Sequence, residues 1–135
     1  MQAADLLELR DDLTRETKRL QQLVESLLEL ESPLSSGSET VEAAALRLHS
    51  FYTGVERMLL LVSRVVHGGT PSRGEGWHQR LLERMAMPTD TRPAVLQELT
   101  QRDLQEYLRF RHLVRNLYTD ELRAEPIQRL IEQLQ

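Results

Sequence analysis

The chain predicts an all-α fold, a four- or five-helix up-and-down bundle, on three observations. Apolar residues recur at three- and four-residue steps through most of its length, loop-forming residues gather in a few short clusters, and no stretch alternates as a half-buried strand would. With 135 residues, of which 40% are hydrophobic, one domain spanning the whole chain can bury a real core.

The first segment, Ala4 to Leu30, places Leu6, Leu13, Leu20, Leu23, Val24, Leu27 and Leu28 at mostly helical steps and reads as a long amphipathic helix. ESPLSSGSET, Glu31 to Thr40, gathers Pro, Gly and Ser and is a loop by composition. Val41, Ala45, Leu48, Tyr52, Val55, Leu59, Val62 and Val66 then alternate steps of four and three, a heptad-like seam suited to antiparallel packing. HGGTPSRGEG, His67 to Gly76, holds four of the six glycines and a proline and must be a loop. A shorter helix follows from Trp77 to about Met87 with Leu81, Leu82 and Met85 inward, and PTDTRP stops it. Thr100 and Asp103 match a capping box that opens a fourth helix. Pro126 starts a final short helix whose Ile127, Leu130, Ile131 and Leu134 form one apolar stripe.

Composition limits the function classes. The chain has no Cys, so neither a disulfide framework nor a thiolate-bound metal is available, and a reducing, cytoplasmic setting is expected. Its opening residues, MQAADLLELRDDLTRE, mix acids into the apolar positions, unlike a signal peptide. The longest apolar run, Met58 to Val62, is far short of a membrane span. A net charge of −4 argues against a broad basic surface that coats nucleic acid. Yet from Tyr107 to Tyr118 there are three Arg and no Asp or Glu, which concentrates positive charge in one segment.

Several candidates carry two readings each. His49, His67, His78 and His112 lie in four different segments with no HxxxH or HExxH spacing, so no metal site is expected. GGTPSRGEG follows a helix, which does not suit a phosphate loop. Trp77 and His78 are either a surface site or an anchor for the loop before them. In FYTGVER, Gly54 costs about 1 kcal/mol against Ala in a helix, so something approaches closely there. One reading makes Tyr52, Glu56 and Arg57 part of a site; the other makes Gly54 a helix crossing with Glu56 and Arg57 solvated.

RFRHLVRNLY, Arg109 to Tyr118, is the densest concentration of chemistry. At 100° per residue Arg111, Arg115 and Tyr118 fall within an arc of about 60°, while His112 and Asn116 share a second stripe. Arginine clusters suit bidentate phosphate recognition, and a neighbouring phenol can donate, stack or be modified. The plain alternative is a helix that packs Leu104, Leu108, Val114 and Leu117 inside while its arginines pair with acids elsewhere.

FRHLVRNLY resembles the Rx4HxY signature of the HepT-like branch of the HEPN superfamily, with Arg111 as the motif arginine, Asn116 at the histidine position and Tyr118 as the tyrosine. The resemblance extends to AAALRLHSFYTGVERML, GWHQRLLERMA and RPAVL, and covers roughly Ala43 to Arg123. A literal Rx4H from Arg73 to His78 lies in the glycine loop and reads as a chance match. The family resemblance implies a homodimeric toxin that cuts RNA without a metal or other cofactor, both chains lining a cleft near the two-fold axis. It also implies a minimal nucleotidyltransferase antitoxin, as in type VII toxin-antitoxin pairs, which transfers AMP to the motif tyrosine, Tyr118. RNA, a second copy and that enzyme are therefore the expected partners, with no DNA and no membrane.

Asn116 departs from the motif. In the family the histidine is expected to handle the proton as the ribose 2′-OH attacks the adjacent phosphate, since imidazole titrates near neutral pH. Asn116 hydrogen-bonds but cannot do this, and losing an acid–base group costs about 10²–10⁴ in rate. The catalytic candidates are Arg111, Asn116 and His112, one turn before Asn116; Arg111 and Arg115 are the phosphate binders and Tyr118 the AMP acceptor. Asn116 fits a natural variant in which His112 takes over, a pseudo-nuclease that keeps its partner, or an engineered inactivation.

Overall fold

Heptad-like spacing makes the longest helix of the chain its centre. A computed structural model describes residues 3–30, 38–66, 74, 76–88, 93–115 and 121–134. These form α1 (Ala3–Leu28), α2 (Glu39–Val66), α3 (Trp77–Met85), α4 (Glu98–Val114) and α5 (Ala124–Gln133), with no strand among the described residues. α2 packs against every other helix. No described helix is long and apolar enough to cross a membrane.

α2 starts earlier than its apolar seam because Ser38 caps it: the Ser38 hydroxyl accepts the Val41 N–H at 3.2 Å. Glu39 and Glu42 add negative charge in the first turn, where the helix dipole favours it. Val41, Ala45, Leu48, Tyr52, Leu59 and Val62 of the predicted seam are buried. α1 crosses α2 at Gly54, where a Cβ would lie 2.5 Å from Leu20 Cδ2. Arg57 remains exposed and reaches Glu16 of α1 at 3.5 Å, as the crossing reading expects. The α1 stripe is less buried than its spacing suggests: Leu9 and Leu27 are buried, whereas Leu6 and Leu28 stay exposed.

Gly76 enters α3 with φ of 75°, a left-handed conformation that a side chain rarely adopts, and so sets where Trp77 and His78 begin the first turn. Leu81, Leu82 and Met85 point inward as predicted. The helix end is closed by the Val95 and Leu96 N–H groups, which donate to the Met85 carbonyl at 2.8 and 3.0 Å. α4 corrects the capping-box expectation. Its cap position is Gln97, with extended backbone and a carbonyl that accepts the Gln101 N–H at 2.9 Å, so Thr100 and Asp103 lie inside the helix. α5 also begins before Pro126, which occupies the first turn, where its missing N–H has no intrahelical partner to lose. Ile127, Leu130 and Ile131 are buried and Leu134 packs partly against them. The Tyr107 hydroxyl of α4 donates to the Leu130 carbonyl at 2.7 Å and ties α5 down.

Candidate functional site

A polar cluster lies where α2, α3 and α4 meet. On α2, His49, Tyr52 and Glu56 follow one another at steps of three and four and share a face alongside the apolar seam. Glu56 is 5% exposed, which overturns the expectation that it is solvated. A buried carboxylate needs a partner, and His78 from the first turn of α3 supplies it, with Nδ1 2.6 Å from Glu56 Oε2. Trp77 stacks on the same imidazole with ring centroids 3.8 Å apart. His78 thereby ties the first turn of α3 to α2.

α4 closes the cluster from the other side. Arg111 Nη1 lies 3.4 Å from Nε2 of His78, and the His112 ring meets His78 edge-on with centroids 5.6 Å apart. Arg115 follows at the end of α4, its N–H donating to the Arg111 carbonyl at 3.3 Å. Arg111 Nε and the Thr53 hydroxyl are buried with no hydrogen-bond partner among the described residues, and the buried Tyr52 hydroxyl faces the Glu56 carboxylate.

Charge and burial act together on the ring groups. His49 is held below its ordinary pKa by burial first and then by Arg111 and Arg115, with Glu56 opposing. His112 is lowered by burial, then by His78, Arg111 and Arg115, again against Glu56. Burial pushes the Tyr52 phenol up, reinforced by the nearby Glu56 carboxylate and partly offset by Arg111. The site is thus two guanidiniums and three imidazoles around one buried carboxylate.

Of the residues that the sequence singles out, Arg111, His112 and Arg115 come together at the end of α4. Asn116 and Tyr118 lie outside the described residues, as do His67 and Arg73. The described part of α4 ends at Val114, so the arc from Arg111 toward Tyr118 is carried by described residues only as far as Arg115. Glu56 and His78 are not marked as partners by the sequence. A signal for Glu56 was present in its spacing from His49 and Tyr52 beside the seam. His78 had none in one dimension, because its partners are 22 and 33 residues away.

Residues 43–135 match a family model described as HepT-like protein, a range that contains His49, Tyr52, Glu56, His78, Arg111, His112 and Arg115. The chain belongs to the HepT-like family. No curated protein and no solved structure gives a match. In this HepT-like chain α1 precedes the matched range, and the residues that meet around Glu56 all fall within it. No group of three or more His, Asp or Glu among the described residues is placed to hold a metal. Chemically, the cluster can hold an anion through its arginines and accept a proton on an imidazole.

Proposed function

We propose that this HepT-like chain is the toxin component of a type VII toxin-antitoxin pair: an endoribonuclease by lineage that acts without a metal, as a homodimer, and is neutralised when a minimal nucleotidyltransferase transfers AMP to Tyr118. The observation that carries the reading is the meeting of Arg111 and Arg115 with imidazoles at the end of α4. Guanidiniums bind phosphate oxygens bidentately, and a partly buried position strengthens that contact relative to open water. In this reading Arg111 polarises the scissile phosphate, Arg115 assists, and AMP on Tyr118 competes with RNA for the same arginines.

Asn116 removes the motif imidazole, so a second reading stands beside the first: a non-catalytic subunit that binds the nucleotidyltransferase or its substrate. Incubation of the chain with an RNA oligonucleotide, and separately with the nucleotidyltransferase and ATP, separates them. The toxin reading expects RNA cleavage without added metal and a mass increase of AMP that Tyr118→Phe abolishes. A stable complex with neither cleavage nor modification supports the binding subunit.

A further inference from the structure

We propose that His78, held by Glu56, is the general base of this chain, and that Arg111 occupies its reactive nitrogen until a phosphate draws the guanidinium away. The inference rests on the ribonuclease reading above and supplies the proton acceptor that Asn116 cannot be.

The contacts fit one tautomer. A guanidinium has donors and no acceptor, so the approach of Arg111 Nη1 to Nε2 of His78 at 3.4 Å suits a ring with its lone pair on Nε2. The ring proton then resides on Nδ1 and is donated to Glu56 Oε2 at 2.6 Å. Carboxylate, Nδ1–H and a lone pair on Nε2 is the arrangement in which an acid orients a histidine base and stabilises the imidazolium formed when it takes a proton. Burial favours this role. The Glu56 side chain is 7% exposed and that of His78 13%, so water competes little for the bond between them. Stacked Trp77 limits rotation of the ring.

Arg111 is the switch. Its bond to a neutral ring nitrogen is long, and its Nε is buried with no acceptor among the described residues. A phosphate oxygen answers both deficits, because a charge-assisted, bidentate guanidinium–phosphate contact is stronger than a neutral one. Once Arg111 turns to phosphate, Nε2 of His78 is free within reach of the same group. It takes the proton from the ribose 2′-OH as the 2′-oxygen bonds to phosphorus. The bond from phosphorus to the 5′-oxygen breaks, its electron pair leaving on that oxygen, which takes a proton from water. His78 returns its proton to the hydroxide so formed, and the products are a 2′,3′-cyclic phosphate and a 5′-hydroxyl. Glu56 acts through His78 and is a positioning residue.

The test uses the full chain. Long-range ¹H–¹⁵N correlation of the imidazoles is expected to show His78 protonated at Nδ1 alone, and uridine 3′-monophosphate to shift its Nε2 resonance as Arg111 leaves. Single-turnover cleavage by His78→Gln is expected to fall about 10²–10⁴-fold with RNA affinity within about threefold of wild type. Glu56→Gln is expected to lower kcat with little change in KM and to bring in an Nε2–H signal. Protonation of His78 at Nε2 in the free chain, or cleavage by His78→Gln at the wild-type rate, overturns the proposal. So does loss of cleavage in His112→Gln with His78→Gln unaffected, which makes His112 the base. A wild-type chain that cuts no RNA fails the ribonuclease reading itself, and the base with it; a cutting wild type with an equally active His78→Gln fails the base alone.

Discussion

Arg111 and His78 meet at 3.4 Å although 33 residues separate them, and the contact joins the last turn of α4 to the first turn of α3. Behind it stands Glu56, so three helices share one chain of polar contacts through a nearly dry space. Removal of Glu56 leaves the Nδ1–H of a largely buried ring without its acceptor. Glu56→Leu is therefore expected to destabilise the fold by about 1–3 kcal/mol, the cost of an unsatisfied buried donor. Glu56→Gln, which retains an acceptor, should lose less. Urea unfolding of both variants checks the order.

Acid should weaken the fold through His49 and His112. Both have a lowered pKa in the folded chain, so between that value and the ordinary ~6.5 the unfolded chain binds more protons. Stability then falls as pH drops through ~6.5 and levels off below the folded values. The arginine part of the effect should shrink with added salt, more at exposed His112 than at half-buried His49. Urea midpoints across that window, for wild type and a His49→Gln/His112→Gln double variant, give the measurement; the variant should show the flatter profile.

The two buried phenols should both lose stability when cut back to Phe. Tyr107 donates to the Leu130 carbonyl, so Tyr107→Phe is expected to cost about 1 kcal/mol and to loosen α5. The Tyr52 hydroxyl faces the Glu56 carboxylate, so Tyr52→Phe is expected to cost about 1 kcal/mol or less and to leave α5 in place. At high pH both matter together. Burial, with Asp103 and Glu106, pushes Tyr107 up to about 12, and Tyr52 is raised as well. Unfolded phenols ionise near ~10, so stability is lost as pH rises above that value. Phenolate absorbance from these two residues should appear together with loss of helical circular dichroism.

Gly54 should tolerate little. Its absent Cβ gives Leu20 its place, since a carbon there would lie 2.5 Å from Leu20 Cδ2, too close for two carbons. Gly54→Val should cost about 1–3 kcal/mol through overpacking, and Leu20→Ala on that background should restore part of it. Gly54→Ala should come closer to neutral, since the end of Leu20 can move and Ala gains about 1 kcal/mol of helix propensity. Thermal unfolding of the three variants separates these outcomes.

Helical periodicity is a local property, and so the sequence by itself determined the five helical segments, the buried seam of α2 from Val41 to Val62 and the inward Leu81, Leu82 and Met85. It also placed Arg111, His112 and Arg115 close together on the fourth helix, because that follows from adjacency along the chain. Helix ends were less legible. Ser38 capped α2 before its first seam residue, and the α4 boundary fell at Gln97, not at the better motif three residues later. The tertiary structure alone decided that Glu56 is buried and that His78 is its partner. A carboxylate on a helix faces water or a neighbour according to what crosses it, and Glu56 is met by an imidazole 22 residues away whose position depends on the left-handed turn at Gly76. Spacing along the chain records which residues share a face; only the crossing of α2, α3 and α4 determines which faces meet.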